Sequence, residues 1–346
     1  MKRTFTAALA TFLLIFAATW LWVAKERMAF FDISYAGWRA KMDFAKTLPK
    51  DNVVILGDSR AVAGLVPSVL GPSVYNLALA GCTSIEAAKW AHDLTASATP
   101  PRAVILSFTP VNLMATKSFW ETTAKCGFLT RQEIETVWER ARQFNGREYW
   151  PEGESYARRS SLAGPKSPGD IEIRMKADLY AEDFPPCYFS ALWGGRIIRR
   201  LNINRKFYHE TYAARGYYPF GTADECAEAG LEAQTPSFQP VKLFDLYLRE
   251  SLALFEGSNI PVYFVSAPVN AATTPSPEYT AAFCAYIARL EAEFHNFHSL
   301  GTPQPTWSAQ DFGDDFNHLR PPSAVRWSKE VAQKLNEEHV PGGPFG

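Results

Sequence analysis

The sequence lacks the short motifs of common metal and redox sites. It has no Cys-x-x-Cys pair and no His-Glu-x-x-His segment, which argues against a zinc ribbon, a thioredoxin-like centre and a zincin-type protease. His295 and His298 are three residues apart in an expected short strand, where such side chains point to opposite faces. We therefore expect no metal site, and no cofactor is indicated.

The sequence also lacks an excess of positive or negative charge. The formal net charge is −1 over 346 residues, so the strongly basic surface of a nucleic-acid-binding protein is not expected. No acidic or basic tail, internal repeat or low-complexity tract occurs. The length suits one large domain or two small ones with a substantial core.

Cysteine is sparse and widely spaced, with five residues in the whole chain. In an oxidising compartment the five cysteines would allow up to two disulfides, and we expect one of them among Cys126, Cys187 and Cys226. Buried thiols are the alternative.

The one long hydrophobic run lies at the N-terminus. Lys2 and Arg3 precede a charge-free stretch from Thr4 to Ala24, about the length that crosses a bilayer as a helix. Trp20 and Trp22 lie at its far end, where indoles favour the membrane interface. A cleaved signal peptide is the alternative, but its apolar core is usually shorter. We expect a retained anchor with the rest of the chain on the extracytoplasmic side.

Short apolar runs alternate with helical patterns along the rest of the chain. The runs are Asn52–Leu56, Val74–Ala80, Ala103–Phe108 and Ile260–Val265. The helix candidates include Val241–Glu256, Glu278–Phe294 and Ser323–Glu338. This alternation predicts an α/β fold with a parallel sheet covered on both faces.

The domain organisation follows from this pattern. Residues 1–27 form the expected anchor, residues 28–50 a juxtamembrane connector and residues 51–346 the main domain. Within it, residues 113–240 are polar and carry few strand-like runs, so they form a large insertion. Thr83–Glu86 and Thr130–Glu133 match the capping-box pattern and predict two helix starts.

Two segments carry groups that could act together in nucleophilic catalysis. Gly57-Asp58-Ser59 follows the first predicted strand, where a glycine permits a sharp turn that exposes the serine hydroxyl. A serine needs an adjacent base, usually a histidine oriented by a carboxylate. Asp315 and His318 are close enough in sequence for one loop to hold them together. Each segment alone is equally typical of an ordinary turn or surface loop.

Together these segments resemble the SGNH (GDSL-like) hydrolase superfamily. The first block matches at Gly57-Asp58-Ser59 and the last, Asp-x-x-His, at Asp315 and His318. The resemblance implies an SGNH, flavodoxin-like three-layer parallel sheet. It also implies Ser59 as nucleophile, His318 as base and Asp315 as the residue that orients the histidine.

The resemblance extends to the oxyanion hole. Tyr75-Asn-Leu-Ala-Leu-Ala-Gly81 matches the strand and glycine whose N–H helps to form it, and the Ser59 N–H would be a second donor. The usual Gly-x-Asn-Asp block is absent. Asn112 falls one place late and lacks the glycine, so it is either a third donor or a turn asparagine.

An N-terminal anchor combined with these motifs is similar to the accessory proteins of membrane-bound O-acyltransferases. That similarity implies a multispanning acyltransferase partner and a cell-envelope polysaccharide acceptor. It places the chain in the bacterial inner membrane, as a single-pass protein with its catalytic domain in the periplasm or outside the cell.

The resulting hypothesis is O-acyl transfer, with acetyl as the expected group, through an acyl-serine intermediate. A carbohydrate or lipid esterase with the same triad is one alternative, and an inactive glycan-binding or scaffold module is another. Arg60 would either bind an anionic sugar or pair with Asp58, and Trp307 would either stack on a sugar or pack in the core.

Overall fold

The computed structural model describes residues 2–31, 33–114, 123, 126–143, 195–222, 237–301 and 303–338. Predictions for Cys187 and Cys226 lie outside these residues. The helices are α1 Lys2–Lys25, α2 Arg27–Phe30, α3 Ile33–Ala45, α4 Ser59–Gly64, α5 Pro67–Leu70, α6 Ser84–Thr95, α7 Arg131–Gln143, α8 Ile197–Ala213, α9 Lys242–Gly257, α10 Pro277–Glu293 and α11 Pro321–Glu337. The strands are β1 Val53–Gly57, β2 Val74–Asn76, β3 Ala103–Ser107, β4 Val262–Val265, β5 Val269–Asn270, β6 Phe297–Gly301 and β7 Thr306–Trp307.

Five of these strands form one parallel sheet in the order β2-β1-β3-β4-β6, and β5 pairs with β7 separately. The predicted α/β fold with a parallel sheet is confirmed. The second apolar run is a shorter strand than expected, because β2 ends at Asn76. Leu77 and Leu79 nevertheless donate hydrogen bonds to β1, through the carbonyls of Ile55 and Gly57.

Successive side chains of β1 enter two different cores. Val53 and Ile55 pack with α4, α5 and α11, whereas Val54 and Leu56 pack with α6, α9 and α10. Because the side chains of a strand alternate between faces, an all-apolar strand needs a helical layer on each side of the sheet. Every residue of β1 is buried, which explains its continuous apolar sequence.

The N-terminal helix α1 is long and apolar enough to cross a membrane over Thr4–Val23. Its last turn enters the protein core, since Val23 is only 2% exposed and the Trp22 ring lies edge-on to Phe30 at 5.3 Å. The connector that follows forms α2 and α3. Asn204 of α8 holds it by donating to the carbonyls of Met28 and Phe31, at 2.7 and 3.0 Å.

Both predicted capping boxes are present. The side chain of Thr83 caps α6, and buried Glu86 accepts hydrogen bonds from the backbone and hydroxyl of Thr83, each at 2.7 Å. Thr130 and Glu133 make the equivalent contacts at the start of α7.

Cys82 is a buried thiol. The disulfide expected among Cys126, Cys187 and Cys226 stays a prediction, because Cys187 and Cys226 lie outside the described residues. Cys126 is buried beside apolar side chains of the core.

Candidate active site

The Ser59 segment is a tight turn between β1 and α4. Gly57 has φ +151°, and a Cβ there would lie 1.9 Å from the carbonyl oxygen of Ser107 on neighbouring β3. Only glycine fits this position. Asp58 then caps α4 by accepting a hydrogen bond from the Arg60 N–H at 2.9 Å. Ser59 is thus the first helical residue, half-buried at the carboxyl end of β1.

Asp58 also joins the ends of two strands. Its second carboxylate oxygen accepts hydrogen bonds from the backbone N–H and the hydroxyl of Thr109, both at 2.7 Å, and its side chain is fully buried. Thr109 follows β3. The chain leaves β1 toward β2 on one side and β3 toward β4 on the other, and open α/β sheets bind ligands at such a divergence.

His318 lies in a loop whose ends pair with each other. Phe312 and Leu319 form an antiparallel bridge, and the Gly313 N–H donates to the His318 carbonyl at 3.0 Å. Asn317 has φ +61°, and its side-chain oxygen accepts a hydrogen bond from the Asn270 N–H at 3.2 Å. These contacts hold the His318 side chain at only 7% exposure.

The carboxylate that orients His318 is Asp314. Its Oδ2 lies 2.6 Å from the histidine Nδ1, and its Oδ1 accepts the His318 backbone N–H at 3.1 Å. The prediction of Asp315 in this role was wrong. The turn at Asn317 and the bond to the His318 N–H bring residue 314 onto the histidine, whereas Asp315 is exposed.

The electrostatics of this pair favour an ionised carboxylate. Burial alone would raise the pKa of Asp314, but the hydrogen bond and charge of His318 outweigh it and lower that pKa. An ionised Asp314 fixes the Nδ1–H tautomer of His318 and leaves Nε2 as the basic nitrogen.

The basic nitrogen of His318, Nε2, is buried and makes no hydrogen bond to any described residue. The ring lies against Phe220, with centroids 5.1 Å apart. Arg60 joins this loop to the serine turn, since its Nε donates to the Phe316 carbonyl at 3.0 Å. Ser59 directly precedes Arg60, and His318 follows Phe316 by two residues, so the two segments meet at one place.

Gly81 and Asn112 lie on loops that start beside this turn. Gly81 has φ +74° in a turn closed by the Cys82 N–H and the Leu79 carbonyl at 3.0 Å. The Leu79 N–H donates to the Gly57 carbonyl at 2.9 Å, which places the loop next to the end of β1. Asn112 is half-buried in the short 3-10 turn Pro110–Leu113 directly after Thr109. Their roles as oxyanion donors stay predictions.

No protein-family model and no curated protein matches this chain. Geometry and chemistry must therefore carry the functional interpretation. The chemical content of the site is a half-buried serine, a histidine with one nitrogen fixed by a carboxylate, and two glycine-dependent turns. Among the residues that the structure describes, no three His, Cys, Asp or Glu side chains are grouped so that they could hold a metal ion.

The two predicted substrate-binding residues have structural contacts. Arg60 is 9% exposed and its Nε is bound to the Phe316 carbonyl, which favours a bracing role over sugar binding. Trp307 lies on β7, and the guanidinium of Arg326 covers one face of its ring at 3.7 Å. Arg326 is itself held by Asp311 at 3.1 Å, and Trp307 is partly buried against the core that contains α4, α5 and α11.

A small cavity adjoins the site. Its volume is about 30 Å³, and its wall includes Val62, Leu79, Ala80, Thr211 and Phe220. Val62 is one turn beyond Ser59 on α4, Ala80 precedes Gly81, and Phe220 contacts His318.

The sequence patterns did not predict the contacts of Phe220, Thr109 or α3 with the site. Each of these contacts joins residues that are far apart in the sequence.

Proposed function

We propose that this chain is an SGNH-type serine O-acyltransferase in which Ser59, His318 and Asp314 form the catalytic triad. The observation that carries the proposal is the state of His318 near the serine turn. Its Nδ1 is fixed by a carboxylate, and its buried Nε2 makes no hydrogen bond within the described part of the chain. A strand order equivalent to 2-1-3-4-5, as in flavodoxin-like sheets, supports the fold assignment.

Acylation begins when Ser59 Oγ attacks the carbonyl carbon of an acyl donor and His318 Nε2 takes the hydroxyl proton. The N–H groups of Gly81 and Ser59 stabilise the tetrahedral oxyanion, and such donors are worth about 3–4 kcal/mol each. Collapse of this intermediate breaks the bond to the leaving group, which receives the proton from His318. The product is an acyl ester on Ser59.

Transfer repeats these steps in reverse with a new alcohol. His318 Nε2 removes the proton of an acceptor hydroxyl, the oxygen attacks the acyl-serine, and Ser59 leaves with the proton. Asp314 stays ionised and stabilises the imidazolium in both halves. Transfer exceeds hydrolysis where acceptor binding excludes water from the acyl-serine.

The cavity beside the site supports a short acyl group. A cavity needs only about 10–15 Å³ to hold one water molecule, so a volume of about 30 Å³ admits a short acyl group. Its walls are mostly apolar, which suits the methyl group of the expected acetyl.

The setting follows from the N-terminal helix and the sequence resemblance. A helix that can cross a membrane precedes the domain, and its last turn packs into the domain core at Val23. This packing supports a retained anchor over a cleaved leader. We place the domain on the periplasmic or outer side of a bacterial inner membrane. It receives acyl groups from a multispanning acyltransferase and passes them to a cell-envelope polysaccharide.

The decisive test follows the full chain in detergent, wild type beside Ser59→Ala, given 4-nitrophenyl acetate. Nitrophenolate release and the intact mass of the protein are measured together. We expect a burst, an added acetyl group on Ser59 and slow turnover, all absent from Ser59→Ala. Rapid steady turnover would identify an esterase, and the same signal from both proteins would refute Ser59 as the nucleophile.

A further inference from the structure

The loop that carries Gly81 is braced from behind by α3. This helix belongs to the connector that follows the N-terminal apolar helix, and it lies far from the site in sequence. Two of its side chains, Trp38 and Lys41, reach the backbone of the 78–80 segment. Both are almost completely buried, at 1% and 2% exposure.

Trp38 makes a directional contact with the peptide that precedes Gly81. Its indole Nε1–H donates to the Ala80 carbonyl oxygen at 3.2 Å. The Ala80 carbonyl and the Gly81 N–H belong to the same planar trans peptide, so they point in opposite directions. A donor that fixes the carbonyl on the α3 side therefore also fixes the N–H on the opposite side.

Lys41 holds the chain at Ala78 and Asn76, two and four residues before Ala80. Its ammonium donates to the Ala78 carbonyl and contacts Asn76 Oδ1 at 3.4 Å. The Asn76 amide in turn donates to the carbonyls of Ala61 and Leu65, at 2.8 and 3.0 Å, which lie within α4 and just beyond its end. The loop is thus tied to the helix that begins with Ser59.

We propose that Trp38 is a positioning residue for the oxyanion hole, which aims the Gly81 N–H by holding the Ala80 carbonyl. The inference rests on the proposed function. It makes the connector helix part of the acyl-transfer site, so the placement of α3 sets the efficiency of the chemical step. Lys41 limits the movement of the same loop from its other end.

Trp90 supplies a matched control. Trp38 and Trp90 are both buried, and both rings lie edge-on to Phe128, at centroid distances of 5.5 and 5.0 Å. Trp90 Nε1 has no hydrogen-bond partner among the described residues. Replacement of either ring by phenylalanine removes packing against Phe128, but only Trp38→Phe removes a hydrogen bond to the loop. Trp38 also lines the small cavity, and a variant of the same ring volume without the N–H separates the cavity effect from the lost hydrogen bond.

The experiment compares acylation of the full chain in detergent by 4-nitrophenyl acetate for wild type, Trp38→Phe and Trp90→Phe. A misplaced catalytic group costs up to about 100-fold, so we expect Trp38→Phe to slow the burst about 10- to 100-fold at unchanged KM. Trp90→Phe should stay within about threefold, the small change expected where no catalytic group moves. A 3-benzothienylalanine at position 38, which replaces the ring N–H by sulfur at similar volume, should reproduce the Trp38→Phe defect.

A second readout is independent of activity. Amide hydrogen exchange in a peptide covering residues 77–82 should accelerate in Trp38→Phe relative to Trp90→Phe. Equal burst rates and equal exchange in the two variants, with a Ser59-dependent burst in wild type, would overturn the positioning role alone. A burst that survives Ser59→Ala would overturn the proposed function and this inference with it.

Discussion

Asp314 holds His318 at two points, through one carboxylate oxygen to the backbone N–H at 3.1 Å and through the other to the ring Nδ1 at 2.6 Å. Oδ1 also accepts the Phe316 N–H at 3.0 Å. One carboxylate therefore shapes the loop and orients the imidazole. The neighbouring Asp315 is exposed, so the two adjacent aspartates make a natural pair for comparison.

Asp314→Asn should reduce Ser59 acylation by about 10³- to 10⁴-fold. An amide donor opposite Nδ1 favours the tautomer whose Nε2 carries the proton, and such a histidine cannot accept the serine proton. The burst rate with 4-nitrophenyl acetate measures the loss. Asp315→Asn is the control and should retain nearly full activity; a larger defect in this variant than in Asp314→Asn would restore Asp315 as the orienting residue.

The choice between these aspartates shows where sequence reasoning stops. The presence of a carboxylate near His318 was predictable from the Asp-x-x-His pattern. Which aspartate reaches the ring depends on the left-handed backbone of Asn317 and on its bond to the Asn270 N–H, a contact between distant parts of the chain. Spacing along the chain does not encode this contact.

The fold was easier to predict than the bracing of the site. The apolar runs of β1, β3 and β4 and both capping boxes are local patterns, and they appear close to the expected positions. The contact from Trp38 to the Ala80 carbonyl joins residues 42 positions apart. An aromatic connector residue next to an apolar helix gives no sequence signal of such a role.

Asp58→Asn should destabilise the protein by about 2 kcal/mol, within the range for buried hydrogen bonds to charged groups. Asp58 accepts from the N–H of Arg60 and from the N–H and hydroxyl of Thr109. All three groups donate hydrogen bonds to the carboxylate, so the NH₂ group of an asparagine at this position would face a donor and not an acceptor. Denaturant unfolding measures the change, with Thr109→Val as the milder comparison at about 1 kcal/mol. Equal stability of Asp58→Asn and wild type would show that the carboxylate does not bind the strand ends together.

The size of the cavity predicts the acyl preference. Wild type should be acylated faster by 4-nitrophenyl acetate than by the butyrate ester, because the longer butyryl chain is harder to place in a small cavity of about 30 Å³. Val62→Ala enlarges the cavity near Ser59. It should raise the ratio of the butyrate to the acetate acylation rate by about tenfold, a size typical of discrimination by hydrophobic pockets. Val66→Ala is the control, since Val66 packs in the α4, α5 and α11 core and is not part of the cavity wall. A ratio that rises equally in both variants would contradict an acyl role for the cavity.

The buried side chain of Lys41 should make the free energy of unfolding depend on pH. Burial lowers its pKa well below the usual value, and the nearby Cys82 opposes this only in part. Between the lowered folded pKa and the unfolded value of about 10.4, the unfolded chain binds a proton that the folded chain does not. Stability from this group therefore rises with pH through that window, by at most about 1.4 kcal/mol per pH unit.

Cys82 changes stability with pH in the opposite direction. Burial raises the pKa of its thiol, and the nearby charges of Glu86 and Asp58 raise it further. The folded protein then keeps a proton that the unfolded chain loses, and stability falls as pH rises. Comparison of wild type with Lys41→Met keeps Cys82 in both proteins, so the difference reports Lys41 together with its charge interaction with Cys82. Denaturant unfolding from pH 7 to pH 10 should show wild type gaining stability relative to Lys41→Met, whose lost bond to the Ala78 carbonyl adds only a constant difference. If the difference in unfolding free energy between the two proteins stayed constant across this range, Lys41 would have the same pKa in the folded and unfolded chains. The amine that α3 contributes to the Gly81 loop would then not have a lowered pKa.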